Sequence, residues 1–531
     1  MEIDKINLKD TALFSHLICD LLSENKNIEE FIYAFPSINN IEKNLHKNIN
    51  LPNRKVLSDV LFRQYNNTVF PSLDNSLILN NIKSLNDSKT HLVTTGHQLN
   101  IFASPLFLIY KITSIIAISI KLNKIFNQYS FIPCFWMATE DHDFEEINKI
   151  KFNETQHIWN EETNDMVGNL TSSKLLSILE DMKVDMCKTK YGQELFDLYQ
   201  HSYSKNLNYA NATRALLTSL FREYGVLIVD GNDKDLKKIM VSDFQQEIKN
   251  GFVCDMITST NNILSKKYHC EINPLSANIF YIKNNIRDKI VSQGNKYYSS
   301  KHDTCWTKDE LLNEVESNPD YFSPNVFLRT LYQERLLSSI IYLGGPSEIS
   351  YWIQLKNMFS FRQVPYPIVS LRSFFLIISK EVLAYQANLN VNNKDLFLPK
   401  HEIIRKIFKD KSDVKLDLLS SELDQLLLSF KGHLQDVEHL PDSILDVFKT
   451  KVFKELSKLE SKVMKLEKNN KPEVIHDFTE MYKGVFSNGI IQEKSKSFIP
   501  YYMKYGSSFF ELLIKETVAF DKKYIILKEK V

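Results

Sequence analysis

The chain has 531 residues, 43% of them hydrophobic, so it can bury a large core and exceeds what one compact domain usually holds; a disordered chain is excluded and two or more structural units are expected. Lys+Arg and Asp+Glu balance at 65 each, which leaves no basic field to attract a nucleic-acid backbone. The N-terminus lacks the basic start and apolar core of a signal peptide, and the most apolar window, 106–120, is shorter than a membrane span and contains Lys111, so the expectation is a cytoplasmic protein with no membrane partner. Six cysteines without a CxxC pair fit reduced thiols better than a zinc site.

Residues 1–85 read as mixed helix, broken at Pro36-Ser37, Pro52-Asn53 and Pro71-Ser72, and are expected to pack on the core. At 91–95 a short β-type run begins, followed by a loop at Gly96-His97-Gln98. Ser104-Pro105 then stands in the order that starts a helix, Ser as N-cap and Pro at the first helical position. Leu106, Ile109, Tyr110, Thr113, Ile116, Ala117 and Ile120 recur at three- and four-residue spacing, which predicts a helix with one broad apolar face. The apolar run 131–139 reads as a buried strand and ends in Glu140-Asp141-His142-Asp143. Strand, helix, strand is a βαβ unit, whose parallel strands bring both loops to one crevice at the carboxyl edge of the sheet.

The pattern recurs at 225–229, which ends in Asp230-Gly231-Asn232-Asp233. It recurs again at 339–343, which ends in Gly344-Gly345-Pro346-Ser347-Glu348 before a helix starting near Ile349, and at 367–371, which runs into Arg372. These elements predict an α/β fold with a Rossmann-like parallel sheet core over 86–385, carrying insertions near 150–210 and 240–320. From 386 to 485 the texture is helical and charged. Leu419, Leu423, Leu426 and Phe430, then Val452, Leu456, Leu459, Val463 and Leu466, step by threes and fours around a break at 439–443, which predicts an α-helical coiled-coil hairpin or an ordinary bundle. Residues 486–531 are expected to return to the core.

Gly96 would let backbone N–H groups approach a ligand, with Thr95 and Gln98 beside it, the following helix N-terminus facing an anion, and His97 donating to developing charge. The plainer reading is that Gly96 makes a turn and His97-Gln98 cap loop carbonyls. Carboxylates crowded around an imidazole at Glu140, Asp141, His142 and Asp143 need a compensating cation when they leave water. On an extended strand Glu140 and His142 would point one way and Asp141 and Asp143 the other; a solvated helix start is the alternative. No metal is assigned there. Gly344 and Gly345 would cradle a phosphate or carboxylate with Glu348 and Gln354, while Asn325, Arg329, Gln333 and Arg372 supply donors for an anionic substrate.

The chain resembles the bacillithiol biosynthesis cysteine-adding enzyme family. The resemblance rests on Thr94-Thr95-Gly96-His97-Gln98 with Pro105-Leu106, on the run 135–146 (FWMATEDHDFEE), and on 322–329 (FSPNVFLR). It continues in 342–355 (YLGGPSEISYWIQL), in Leu227-Ile228-Val229-Asp230, and in Asn488-Gly489 with Gln492-Glu493. It implies a Rossmann-type core, a coiled-coil domain, a homodimer, and addition of L-cysteine to the amine of glucosaminyl-malate in the last step of bacillithiol synthesis. The family core is similar to class I aminoacyl-tRNA synthetases, whose HxGH signature falls at Thr94-Thr95-Gly96-His97. Thr94 departs from that signature, and many family members read TGQQ where this chain has TGHQ. Lys494-Ser495-Lys496-Ser497 echoes the KMSKS signature and is read as chance in so lysine-rich a chain.

The likeness implies ATP with Mg²⁺ as cosubstrate and cysteine activated as an adenylate. The Gly96-His97-Gln98 loop would then hold phosphate, the 140–143 run would bind the cysteine ammonium or deprotonate the amine, and Arg329 and Arg372 would hold malate carboxylates. Two other readings stay open on the residues alone: a metal-dependent hydrolase built on the 140–143 cluster, and a non-catalytic coiled-coil scaffold. A tRNA synthetase is disfavoured by the absence of basic excess.

Overall fold

The computed structural model describes residues 1–45, 53–71, 74–153, 155–161, 163, 165–270, 272–294, 296–411, 421–422, 424–426, 428–429 and 442–529. By contacts it divides into two compact units, one of residues 14–375 and 493–525, the other of residues 1–13, 376–492 and 526–531.

The larger unit is organised by a five-stranded parallel sheet. Its elements are β1 (Thr90–His97), α1 (Leu106–Ile125), β2 (Ser130–Met137), β3 (Leu227–Asp230), α2 (Val326–Leu337), β4 (Ile341–Gly344), α3 (Pro346–Ile353) and β5 (Ile368–Leu371). The strand order is β5-β4-β1-β2-β3. β1 and β2 run in register from Thr90 opposite Ser130 to His97 opposite Met137, and β4 joins the other edge of β1 with Ile341 opposite Val93. The order reverses between β1 and β4, and in an open α/β sheet such a switch point opens a crevice at the carboxyl ends of the strands.

The strands are buried along nearly their whole length, as continuous apolar runs covered on both faces must be. The helix expected to carry one apolar face is instead buried around most of its circumference, including Lys111, Thr113, Ser114 and Ser119. Its three- and four-residue spacing was a subset of a nearly unbroken apolar surface. The cap also differs. Pro105 rather than Ser104 holds the cap position and makes no side-chain cap bond, and α1 starts at Leu106. Its first N–H donates to the backbone carbonyl of Lys496 at 2.9 Å, which is the structural role of a residue in the 494–497 run.

Between β2 and β3 lie a hairpin, Lys149–Phe152 with Thr155–Ile158, and the helices Leu175–Met186, Lys190–Lys205 and Tyr209–Leu220. Between β3 and α2 the strands Ile279–Lys283, Ile286–Lys289 and Phe322–Pro324 form a small antiparallel sheet. This second insertion supplies one wall of the site below.

In the smaller unit the helix Lys380–Asn388 packs along Pro472–Val485, with Gly484 so close to Val382 that an added Cβ would lie 2.5 Å from Val382 Cγ2. A helix of 29 residues, Asp442–Asn470, carries the second expected heptad run and exposes Leu459 and Leu466. Leu419, Leu423, Phe430, the side chains of Leu456 and Val463, and the break at 439–441 lie outside the described residues, so the first heptad run is not described beyond Leu426, which is exposed.

Candidate active site

A cleft of about 520 Å³ opens at the carboxyl ends of β1, β2 and β3. Gly96, His97 and Gln98 line it with Glu140, Asp141, His142 and Asp143, as the βαβ argument expects, and Gly231, Asn325, Arg329, Glu348 and Tyr351 complete that side. Phe280, Arg287, Ser323 and Pro324 of the second insertion face them. A site of this size and position suits a small polar ligand.

Gly96 and His97 are the last residues of β1 rather than a loop. A Cβ on Gly96 would lie 3.2 Å from Trp136 Cβ and the Trp136 carbonyl oxygen, so glycine is needed for strand packing. Behind this strand end sits Lys111, 1% exposed, whose ammonium donates to Glu348 Oε2 at 2.6 Å and Gly96 O at 2.8 Å and lies 3.3 Å from His97 Nδ1. His97 rests edge-on against Phe107, with ring centroids 4.8 Å apart. Burial, then the charges of Lys111, Arg372 and Arg329, hold its pKa well below the ordinary imidazole value, so it is neutral at pH 7. Arg329, whose burial works against its charge, is nevertheless held protonated by Tyr351, Tyr342 and Glu348. It donates to the Tyr351 hydroxyl at 3.0 Å and to Gln333 Oε1 at 3.2 Å.

The 140–143 run is a turn, not an extended strand, so alternation does not divide its side chains. The Val167 N–H donates to Asp141 O at 2.8 Å and the Gly168 N–H to Thr139 O at 2.9 Å, which pins the turn. Asp141 Oδ1 accepts from the His142 and Asp143 N–H groups, at 2.8 and 3.2 Å, and its Oδ2 accepts from Gln98 Nε2 at 2.7 Å. Gln98 thereby ties the end of β1 to the turn after β2. Glu140 is not a free carboxylate: Lys237, 1% exposed, lies 2.6 Å from its Oε1. Arg287 stacks over Phe280 at 3.7 Å, donates to Ser323 Oγ at 3.0 Å and Pro324 O at 2.8 Å, and places Nη1 3.1 Å from His142 Nδ1. Burial and Arg287 lower the His142 pKa, with Asp143 and Asp141 opposing. One ligand atom each from Asp141, His142 and Asp143 lies within 4.8 Å of the others, although the His142 nitrogen on the Arg287 side is already engaged.

Several expected binding residues stand off the cleft. Arg372 is spent on Glu493, at 2.7 Å and 3.0 Å, in a pair that is nearly fully buried. Gln354 donates to Asn261 Oδ1 and Ile272 O, and the Thr95 hydroxyl donates to Leu343 O inside the sheet. Gln333 lies behind Arg329, and Gly344 and Gly345 form the turn into α3. The anion cradles expected at helix N-termini are filled internally: the Gly345 N–H donates to Glu348 Oε2 at 2.7 Å, and the first N–H of α1 is taken by Lys496. Those two N–H groups are therefore not open to an anion. Asn325 lines the cleft but also caps α2, accepting from the Phe327 and Leu328 N–H groups, each at 3.1 Å.

Sequence reasoning passed over Lys111, Lys237, Arg287 and Tyr351. Lys111 did leave a signal, a lone cation in an apolar helix, which buries only with a partner. Arg287 lies in an insertion whose local sequence carries none.

The arrangement brings guanidinium groups, a phenol, a neutral imidazole and two accessible carboxylates into one cleft. It can bind an anion and an ammonium together and accept a proton between them. Comparison with known proteins gives the family. Residues 1–373 match the family described as bacillithiol biosynthesis BshC, N-terminal Rossmann-like domain, and residues 375–529 match its C-terminal coiled-coil domain. Proteins named "Putative cysteine ligase BshC" are similar throughout. That of Flavobacterium johnsoniae is 31% identical over 99% of this chain and 100% of its own length. That of Flavobacterium psychrophilum is 34% identical over 95% and 96%. A more distant one, from Staphylococcus carnosus, is 26% identical over 82% of this chain and 84% of its own. With a Rossmann-like core, a helical C-terminal domain and both family domains matched end to end, the chain belongs to the bacillithiol biosynthesis BshC family.

Proposed function

We propose that the protein is a carbon–nitrogen ligase that joins L-cysteine to the amine of glucosaminyl-malate, completing bacillithiol. The observation that carries this reading is the joint lining of one cleft by donors and carboxylates: Arg329, Tyr351 and His97 share it with Asp141 and Asp143. Cysteine and an aminosugar malate together present carboxylates and amines, which such a cleft can pair with groups of opposite charge. Arg329 and Tyr351 bind carboxylate or phosphate oxygens. The Asp141 carboxylate, oriented by Gln98, binds the ammonium and takes the proton released when the free amine attacks.

An amide does not form from a free carboxylate without activation. ATP, with Mg²⁺ carried on its phosphates, is the cosubstrate we assign. The cysteine carboxylate attacks the α-phosphorus with loss of pyrophosphate, the sugar amine attacks the acyl carbon, and AMP leaves. His97 and Arg329 are the donors at hand for the transferring oxygens. We further read the molecule as a cytoplasmic homodimer, and light scattering of the purified protein, which measures its mass, would test the dimer. The test of the activity is to combine purified protein with cysteine, glucosaminyl-malate, ATP and Mg²⁺. A thiol conjugate that requires all components is the expected result, and no conjugate overturns the reading.

A further inference from the structure

We propose that Lys111 and Arg287 are positioning residues that fix the two cleft imidazoles, His97 and His142, in the tautomer with the proton on Nε2, so that each meets the substrates as a hydrogen-bond donor and neither acts as the base.

The geometry is the same at both imidazoles. Lys111 Nζ lies 3.3 Å from His97 Nδ1, and Arg287 Nη1 lies 3.1 Å from His142 Nδ1. A guanidinium has no acceptor atom, and an ammonium salt-bridged at 2.6 Å to Glu348 Oε2 has none either. Each cation can only donate, so each Nδ1 must present its lone pair. Both cations are held in place by other partners, Lys111 by Glu348 and Gly96 O, Arg287 by Ser323, Pro324 O and the Phe280 face. In a neutral imidazole with a bare Nδ1 the proton sits on Nε2.

The surroundings keep both rings neutral at pH 7. Around His97 stand Lys111, Arg372 and Arg329, with Glu348 tied to Lys111 as the facing carboxylate. Around His142 stand Arg287 and Lys301 against Asp141 and Asp143, and those carboxylates lie 4.0 Å from Nδ1 and 3.9 Å from Nε2, beyond hydrogen-bond reach. Two consequences follow. The proton lost by the attacking amine goes to a carboxylate, with Asp141 best oriented. A metal ion also finds no lone pair on His142, because coordination at Nε2 would move the proton to Nδ1, against Arg287. The catalytic meaning of the donors rests on the ligase reading; the tautomers themselves do not.

The test is long-range ¹H–¹⁵N spectroscopy of the imidazole-labelled protein without substrates, with the two rings assigned from the spectra of His97→Gln and His142→Gln. At pH 7 each ring is expected to show a protonated Nε2 and a bare Nδ1. In Lys111→Met the His97 signals shift to a mixture of both tautomers, and in Arg287→Met those of His142 do so. A wild-type ring carrying its proton on Nδ1, or on both nitrogens, overturns the proposal, and that measurement stands even if Lys111→Met does not fold. A tautomer unchanged in both variants likewise removes the assigned role from the two cations.

Discussion

Lys237→Met should strip Glu140 of its counter-ion and destabilise the protein. Lys237 is 1% and Glu140 13% exposed at the side chain, their charged atoms lie 2.6 Å apart, and Glu140 Oε1 has no hydrogen-bond donor beyond that contact among the described residues. Removing one partner of such a pair leaves an uncompensated buried charge, at a cost of about 3–5 kcal/mol. Against a typical total stability of about 5–15 kcal/mol this is a large fraction, and it should appear as a lowered melting temperature in differential scanning calorimetry. The pair Lys237→Met with Glu140→Leu removes both charges, and most of the loss should return, because an apolar replacement of a buried ion pair is often neutral or better. A melting temperature unchanged in Lys237→Met, or a double variant less stable than the single one, would refute the idea that Lys237 holds Glu140 in place.

Arg329→Met removes two charge-assisted donors from the anion-binding side chains of the cleft and should raise KM for a carboxylate substrate by about tenfold to a hundredfold, measured in steady-state kinetics against a folded control. Asp141→Asn should lower kcat by about 10²–10⁴, the usual contribution of a general base, while Asp143→Asn, on a more exposed side chain, should cost less. His91, pressed against Phe131 and pushed down to about 4 by burial and the nearby Arg54 charge, is neutral in the fold at pH 7. The unfolded imidazole takes up its proton at about pH 6.5, so stability is full above that value, falls as pH drops from about 6.5 to 4, and levels below it; the loss is of order 3 kcal/mol. His91→Phe should flatten the melting temperature across that window, and an unaltered slope would remove His91 from the account.

The parallel core was legible because its strands are long apolar runs with polar ends: β1, β2, β4 and β5 fall within a few residues of their expected places, and the βαβ rule by itself brings His97 to Asp141. What failed was geometry that sequence spacing does not encode. Arg372 looks like an anion donor by its position after β5, yet its partner Glu493 lies 121 residues away along the chain. Gly344-Gly345 reads as a phosphate cradle, yet Glu348 three residues on turns back to occupy it. The insertion wall was invisible for the same reason, since Arg287 acquires its meaning only where the small antiparallel sheet sets it against His142.

Activation at the α-phosphorus is tested with cysteine labelled with ¹⁸O in its carboxylate, incubated with glucosaminyl-malate, ATP, Mg²⁺ and the purified protein. A cysteinyl conjugate formed one for one with AMP is expected, the AMP carrying one labelled oxygen. A conjugate with the label in inorganic phosphate would contradict activation at the α-phosphorus, and the absence of any conjugate would contradict the ligase itself.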